Sequence, residues 1–156
     1  MNIEITEASL DDLETICALR RELLSYQSTF GSKTVSEKKL KSSDNLMRTY
    51  LERDYSIMYI AYIDKQAIGF VHGTIDPKPQ ENIQAYLQDL YVKENYRNKG
   101  IGSVLLEKLH QFFKKHDVKW GLSTDKNNKN ALKFYINKGY KISREENNMV
   151  YLEISK

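Results

Sequence analysis

The segment that most restricts how this chain can fold changes from strand to loop to helix within a short stretch. Leu87–Val92 has the apolar and aromatic pattern of a strand, Arg97–Gly102 (RNKGIG) is a basic glycine-rich loop, and the following SVLL run is helical in pattern. Such a junction directs several backbone N–H groups and the positive end of a helix at one place. Gly100 and Gly102 lack the Cβ atoms that would keep a diphosphate away. The segment therefore predicts an anion-binding site.

Neighbouring residues separate this loop from other glycine loops. The ATPase phosphate loop ends in Gly-Lys-Ser/Thr, whereas Gly102 is followed directly by Ser103. The dinucleotide-binding loop requires glycine or alanine where Leu105 stands. A turn without a ligand would explain both glycines but would leave Arg97 and Lys99 unexplained. A nucleotide-binding protein is thus a hypothesis that rests on the glycine loop alone.

A second informative segment follows at Asn128–Tyr140, which reads NKNALKFYINKGY. Ala131, Phe134 and Tyr135 stand three and four residues apart, so one helical face carries a small residue and two aromatic rings. Gly139 stands where a left-handed helix cap is needed. Core packing alone would explain this face. It would not explain the order of strand, glycine loop, helix, strand, asparagine, helix, tyrosine, glycine and strand.

Together the two segments resemble the GNAT superfamily of N-acetyltransferases. Leu90–Leu106 (LYVKENYRNKGIGSVLL) resembles the family's Arg/Gln-x-x-Gly-x-Gly/Ala loop in its context, and Asn128–Tyr140 resembles its Asn-x-x-Ala-x-x-Phe-Tyr-x-x-x-Gly-Phe/Tyr stretch. Residues 25–54 match nothing specific. The resemblance implies a single α/β domain over residues 1–156, with a mixed, mostly antiparallel sheet flanked by helices and with splayed fourth and fifth strands.

The resemblance also implies acetyl-CoA as co-substrate. Its pantetheine arm is expected to lie between the splayed strands, with the acetyl carbonyl near the Val92 amide, and its pyrophosphate is expected on the glycine loop. Asn128 would meet the pantetheine or the loop around it. The cofactor-binding residues expected from the resemblance are Leu90, Tyr91, Val92, Arg97, Asn98, Lys99, Gly100, Ile101, Gly102, Ser103, Asn128 and Tyr135.

Amine attack on a thioester needs a neutral amine, a polarised carbonyl and a proton for the leaving thiolate. The resemblance assigns the proton donor to Tyr135, because a phenol is protonated at neutral pH. Diamine acetyltransferases of the family read Leu-Glu-Asp where this chain has LQD at 87–89, so Gln88 replaces the expected carboxylate. An amide can position a water or substrate but cannot take a proton. The remaining candidates for the base are water, Glu22, Glu52 and Asp89.

Strand periodicity predicts which of these side chains share a face. Gln88, Leu90 and Val92 are expected on one face, and Asp89 and Tyr91 on the other. In that register Gln88 points toward the reaction, while Asp89 points toward packing unless a β-bulge turns it inward. The proton would then leave through an ordered water, or the amine would bind already neutral.

The remaining elements follow from apolar periodicity and cap residues. We expect a strand at Asn2–Thr6, helices capped by Ser9 and Ser36, a hairpin of Tyr55–Ile63 and Ala67–Ile75, a strand at Ala85–Val92, a helix at Gly100–His116, a strand at Val118–Ser123, a helix at Asn130–Lys138, and closing strands at Tyr140–Ile142 and Met149–Ile154.

Composition restricts partners and location. The chain has 24 Lys and Arg against 21 Asp and Glu, and this net charge of +3 is too small to indicate nucleic-acid binding. Cys17 is the single cysteine and is expected in the core, and no Cys/His spacing resembles a metal site. Neither an export signal nor a membrane span is expected. A cytoplasmic location is therefore predicted.

The acceptor is the least defined part of the prediction. It is expected to bind at Tyr26–Tyr55 and at strand ends such as His72, because variable loops carry specificity. A small-molecule amine is preferred over a protein N-terminus or lysine, and a homodimer is expected because dimers are frequent in the family. The amide at Gln88 keeps one alternative open, a GNAT-like module that binds acyl-CoA without turnover.

Overall fold

The computed structural model describes residues 2–31, 34–79 and 82–154. The strands are β1 (Glu4–Glu7), β2 (Ser56–Ile63), β3 (Gln66–Ile75), β4 (Ala85–Val92), β5 (Trp120–Asp125), β6 (Tyr140–Glu146) and β7 (Met149–Ile154). The helices are α1 (Leu13–Ser28), α2 (Glu37–Leu51), α3 (Ile101–Lys115) and α4 (Lys129–Asn137). Short 3₁₀ turns lie at Leu10–Asp12 and Glu94–Tyr96.

All the strands join one sheet in the order β1-β2-β3-β4-β5-β7-β6. Neighbouring strands are antiparallel except for β4 and β5. That parallel pair holds at Ala85 with Trp120 and at Tyr86 with Gly121, and the two strands then diverge. The structure thus confirms the predicted mixed, mostly antiparallel sheet with splayed fourth and fifth strands.

The two faces of the sheet carry separate apolar cores. On one face, α3 packs through Leu105 and Leu109. It approaches the sheet so closely that a Cβ on Gly73 would collide with Leu109 and Phe113, which explains the glycine in mid-strand. On the other face, α1 and α2 contribute buried side chains that include Ile16 and Met47. The sheet is therefore covered on both sides, and the divergence of β4 and β5 lies between the two layers.

Side-chain caps begin α2 and α4. The hydroxyl of Ser36 accepts a hydrogen bond from Lys39 N at 3.1 Å, as the sequence predicted, and Asn128 Oδ1 accepts one from Ala131 N at 3.1 Å. Gly139 follows α4 with a φ of +98°, in the left-handed region. Asn128 therefore has a structural role at the start of α4 as well as a position at the cleft described below.

The largest error in element bounds concerns β6. The predicted strand Tyr140–Ile142 continues to Glu146, and after Tyr140 its residues are exposed. This strand lies at the edge of the sheet and is charged, so it lacks the apolar alternation that marks a half-buried strand. In the described parts of the chain, no helix has the length and apolar character needed to span a bilayer.

Candidate active site

A cleft of about 400 Å³ opens where β4 and β5 diverge. Its walls come from the end of α1, from β4, from the glycine loop with the first turn of α3, from the end of β5 and from α4. The three candidate catalytic residues, Tyr135, Gln88 and Asp89, all line the cleft. Every expected cofactor-binding residue contributes to the lining except Lys99. Glu22 and Glu52 do not contribute.

The glycine loop forms the start of α3. Gly100 is the N-cap, and its φ of +82° is in the left-handed region that a side chain disfavours. Asn98 also has a positive φ, of 61°. The N–H groups of the first helical turn precede any intrahelical acceptor, so they carry the positive end of the α3 dipole into the cleft. This arrangement fits a diphosphate.

Gly102 is glycine for a different reason. A Cβ built there would lie 3.7 Å from the Phe134 ring and 3.9 Å from Val92 Cγ2, which are ordinary packing distances. The fold alone would therefore tolerate a small side chain at this position. Because Val92 and Phe134 both line the cleft, a larger side chain at Gly102 would fill the space between β4 and α4.

Beyond the Tyr86–Gly121 pair, the edge of β4 that faces β5 has no paired residue on β5 within the described parts of the chain. Lys93 N donates to Ile68 O of β3 at 2.8 Å, and N–H directions alternate along a strand, so the Val92 N–H points toward the cleft. Val92 O accepts a hydrogen bond from Arg97 Nε at 2.8 Å. An extended ligand could pair with this edge as an added strand does.

Arg97 turns back over β4 instead of extending toward the first turn of α3. Besides its bond to Val92, its guanidinium lies 4.4 Å from the centre of the Tyr26 ring and 5.5 Å from that of Tyr91. Cation–π contacts of this kind are favourable within about 6 Å. Arg97 thereby joins the glycine loop to the last turns of α1.

A β-bulge in β4 overturns the predicted distribution of side chains. His72 of β3 pairs with Asp89 and Gly73 pairs with Leu87, so the backbone of Gln88 has no register partner on β3. Gln88 Nε2 donates to Thr74 Oγ1 at 2.9 Å, on the face covered by α1 and α2. Gln88 and Asp89 thus share that face, and the prediction that they lie on opposite faces is wrong.

The same bulge reverses the strand alternation that follows it. Leu90 and Val92 pack in the core on the α3 side, and Tyr91 packs with α1. Gln88 therefore does not share a face with Leu90 and Val92, as simple alternation predicted. A bulge provides an extra residue without changing the local composition, so no sequence signal located it.

Asp89 lies in a buried ionic environment. Its carboxylate Oδ2 is 3.0 Å from Arg20 Nε and 3.6 Å from His72 Nδ1, and its side chain is 5% exposed. His72 is fully buried. The prediction that His72 lies at an accessible strand end is therefore wrong. Glu22, one of the candidate bases, instead pairs with Lys93 at 3.5 Å.

Tyr135 is buried at the opposite wall of the cleft. Burial raises the pKa of its phenol well above the ordinary value of 10, and the nearby Tyr140 and Asp89 raise it further. Its ring packs edge-on against Tyr140, with centroids 5.5 Å apart. No hydrogen bond to its hydroxyl is found within the described residues. Tyr135 therefore presents a protonated hydroxyl beside the cleft at neutral pH.

Behind Tyr135 lies a polar network that the sequence did not predict. Trp120 Nε1 donates to Tyr140 Oη at 2.9 Å, and Tyr140 Oη lies 2.7 Å from His110 Nε2. Burial lowers the pKa of His110 to about 4, so its neutral ring can accept the Tyr140 proton. The three side chains come from α3, β5 and β6, and their separation along the chain gave no signal of contact.

Among residues 2–31, 34–79 and 82–154, no group of three or more His, Cys, Asp or Glu side chains could hold a metal ion.

Cys17 is half-buried near Asp44, and burial raises the pKa of its thiol to about 11.

Comparison with known families identifies the fold as that of an acetyltransferase family. The profile of the acetyltransferase (GNAT) family matches residues 19–140, well over half of the chain.

Individual relatives agree with this match. The spermidine N(1)-acetyltransferase of Thermoplasma acidophilum is 28% identical over 152 residues, which cover 91% of this chain and 90% of that protein. The crystal structure of PaiA N-acetyltransferase from Thermoplasma acidophilum in complex with coenzyme A superposes with a TM-score of 0.83 at 26% identity, covering 100% of both chains. A GNAT-family acetyltransferase from Staphylococcus aureus shares the fold, with a TM-score of 0.75 at 20% identity, covering 99% of this chain and 100% of that one.

Proposed function

The chain belongs to the GNAT acetyltransferase family, and from this premise we propose that it transfers an acetyl group from acetyl-CoA to a primary amine of a small molecule. The observation that carries the proposal is the cleft between the diverging β4 and β5. There the start of α3, a strand edge at Val92 that β5 does not pair with, and the protonated hydroxyl of Tyr135 line a single space. Acetyl-CoA has three parts that match these features: a diphosphate for the start of α3, an extended arm for the strand edge, and a thioester for the Tyr135 hydroxyl.

Acetyl-CoA would be held by three parts of the chain. The N–H groups around Gly100 and Gly102 would bind the diphosphate. The edge of β4 at Leu90 and Val92 would pair with the amide groups of the pantetheine arm. Because Arg97 now bonds Val92 O, its guanidinium would have to give up that bond where the arm pairs with the same carbonyl. The relative crystallised with coenzyme A supports this choice of co-substrate.

The acceptor amine would enter on the α1 side of the cleft, where the bulge brings Gln88 and Asp89 together. A carboxylate in this wall can accept an N–H from the amine and orient its lone pair toward the thioester. Taking a full proton would leave Arg20 without its counter-ion in a partly buried position. We therefore assign Asp89 to orientation of the amine, with water as the proton acceptor.

The chemical step then needs no covalent intermediate with the protein. The amine nitrogen forms a bond to the carbonyl carbon, and the Val92 N–H stabilises the negative charge that develops on the carbonyl oxygen. When the C–S bond breaks, Tyr135 donates its proton to the sulfur. The nitrogen loses a proton to water, and the tyrosinate recovers one from solvent. The net products are an N-acetylated amine and the free thiol of coenzyme A.

A small-molecule amine is supported by two observations. The cleft of about 400 Å³ is of the size that takes ligands rather than folded proteins, and it must also hold the end of the pantetheine arm. The relative from Thermoplasma acidophilum is named for spermidine, a polyamine. Aliphatic amines, including diamines and polyamines, are therefore the first acceptors to test.

The test is a screen of amines with acetyl-CoA, read as release of free thiol. Mono-, di- and polyamines, amino sugars and a peptide with a free N-terminus form the panel. In parallel, heat stability is measured with acetyl-CoA, ATP and NAD at equal concentration. We expect thiol release with small aliphatic amines and the largest stabilisation from acetyl-CoA.

Each outcome of the screen separates two hypotheses. Stabilisation by acetyl-CoA without thiol release for any amine would indicate the non-catalytic acyl-CoA-binding module. Turnover with the peptide alone would indicate a protein acetyltransferase. Greater stabilisation by ATP or NAD would contradict the assigned co-substrate.

A further inference from the structure

Polar side chains from four elements meet behind the wall of the cleft. The carboxylate of Asp89 on β4 faces Arg20 of α1 and His72 of β3, and the opposite ring nitrogen of His72, Nε2, lies 2.8 Å from the hydroxyl of Ser56 on β2. Tyr50 of α2 packs edge-on against the imidazole, with centroids 4.5 Å apart. We call these four polar residues, Ser56, His72, Asp89 and Arg20, the Asp89 array.

Two atoms of the array lack hydrogen bonds. Among the described residues, Arg20 Nε and His72 Nδ1 are the buried side-chain nitrogens with no hydrogen-bond partner. Both lie near the same oxygen, Oδ2 of Asp89, at 3.0 Å and 3.6 Å. Buried donors without partners are unfavourable, and folded proteins rarely keep them without a reason. Arg20 therefore holds Oδ2 by charge from behind, but neither Arg20 Nε nor His72 Nδ1 locks the carboxylate by a directed hydrogen bond.

The Ser56 hydroxyl and the Asp89 carboxylate contact opposite nitrogens of the His72 ring. Nδ1 faces the anionic carboxylate of Asp89, so a lone pair on Nδ1 would be repelled, whereas an N–H there is attracted. The Ser56 hydroxyl can then donate to Nε2. His72 is thus placed to donate from Nδ1 toward Asp89, while Ser56 holds the opposite ring nitrogen.

We propose that His72 is a positioning residue for the acceptor amine, acting through Asp89. With Arg20 and His72 both at Oδ2, the oxygen that remains to meet a ligand in the cleft is Oδ1. A small rotation of the carboxylate would complete the hydrogen bond from Nδ1 when the amine binds. This inference rests on the proposed function, because it concerns how the same site orients its acceptor.

Two substitutions of His72 distinguish positioning from packing. In His72→Asn the side-chain amide can take the place of Nδ1–H and still donate to Asp89, but it loses Ser56. In His72→Gln the amide reaches the place of Nε2 and keeps Ser56, but it loses Asp89. Steady-state kcat and KM for the best amine of the screen, KM for acetyl-CoA and Tm are measured for both variants.

We expect His72→Gln to lower kcat/KM for the amine by about a hundredfold, the order of loss caused by a small misplacement of a reacting group. His72→Asn should stay within about tenfold of the wild type, since it keeps the donor. KM for acetyl-CoA should not change in either variant. Glutamine is larger than asparagine and fills the site better. If His72 had a purely structural role, His72→Gln would therefore be the more active and more stable of the two variants, and activity would follow Tm.

Ser56 offers a milder pair of variants if either change at His72 prevents folding. Ser56 lies at the start of β2 and is partly exposed, so both variants should fold. Ser56→Thr keeps the hydroxyl and should retain the wild-type kcat/KM, whereas Ser56→Ala should lose several-fold with an unchanged Tm. Equal activity in these two variants would overturn the proposal.

The failure of this inference can be told apart from that of the proposed function. A wild-type protein that releases no thiol with any amine overturns both. A wild type that acetylates an amine, with His72→Gln as active as His72→Asn, overturns the role of His72 alone.

Discussion

Tyr135 combines a buried ring with a hydroxyl at the cleft, so its role can be tested by removing the hydroxyl oxygen alone. Tyr135→Phe keeps the edge-on contact with Tyr140 and removes the proton donor. We expect kcat to fall roughly a hundredfold, the usual scale of general acid catalysis, with little change in the KM for acetyl-CoA. Steady-state kinetics at neutral pH checks this.

Tyr151→Phe is the matched control for Tyr135→Phe. Tyr151 packs against Arg144 in the β6–β7 pair and does not line the cleft, so kcat should not change in this variant. An unchanged kcat in Tyr135→Phe as well would show that the thiolate leaves without a proton from Tyr135.

Asp89 should contribute more to stability than to chemistry. Asp89→Asn leaves the partly buried guanidinium of Arg20 without its counter-ion, and losing one partner of a fully buried pair typically costs about 3–5 kcal/mol, which is an upper bound here. Because asparagine keeps an acceptor oxygen for the amine, we expect kcat/KM to fall by less than about a hundredfold. Urea unfolding and kcat/KM against pH are the measurements.

Two further variants show whether a loss of stability in Asp89→Asn comes from the unpaired Arg20. The exposed Asp54 provides the control, since Asp54→Asn should leave the unfolding midpoint unchanged. Combining Asp89→Asn with Arg20→Met should recover part of the lost stability, because the orphaned cation is gone. Activity that falls by more than about a hundredfold at unchanged stability would instead identify Asp89 as the base.

At the scale of elements, the start of α3 can be tested without disturbing the fold. A small side chain at Gly102 has room in the free protein, but a branched one would fill the space between β4 and α4. In Gly102→Val we expect the stabilisation by acetyl-CoA to be lost, which for saturation at about 100 times Kd means a loss of roughly 2.7 kcal/mol of ligand-dependent stability. Heat denaturation with and without acetyl-CoA measures this.

Gly102→Ala is the control that shows whether a side chain at this position disturbs folding. It should fold at least as stably as the wild type, since alanine is the better helix former by about 1 kcal/mol. If acetyl-CoA raised the Tm of Gly102→Val as much as that of the wild type, the first turn of α3 would not contact the diphosphate.

For the whole molecule, the Trp120–Tyr140–His110 network predicts how stability depends on pH. The unfolded chain protonates His110 near pH 6.5, whereas the folded protein does so only near pH 4 because the ring is buried. Between these values unfolding takes up a proton, so the stabilising effect of neutral His110 is full above pH 6.5 and is lost as pH falls toward 4. Thermal or urea midpoints across this range measure the loss.

His110→Gln should flatten the decline in stability between pH 6.5 and pH 4, since glutamine has no proton to gain. His116→Gln is the matched control because His116 is exposed, and its pH profile should follow the wild type. A His110→Gln profile as steep as that of the wild type would mean that other groups cause the acid sensitivity.

The sequence by itself determined the features that depend on neighbours along the chain. The glycine loop at Arg97–Gly102, the cap at Ser36, and the order of strands and helices all follow from local backbone preferences and side-chain periodicity. These preferences act within a few residues, so one sequence was enough to predict the elements and to show the family resemblance, and that resemblance implied the divergence of β4 and β5.

Tertiary structure alone decided which side chains meet at the acceptor end of the cleft. The bulge at Gln88 depends on how β4 aligns with β3, and it turned Asp89 to the same face as Gln88. Arg20 and His72 then reach Asp89 from elements far away in the chain. Pairing across strands and burial of charge are properties of the packed molecule, and a period of two along one strand carries no information about either.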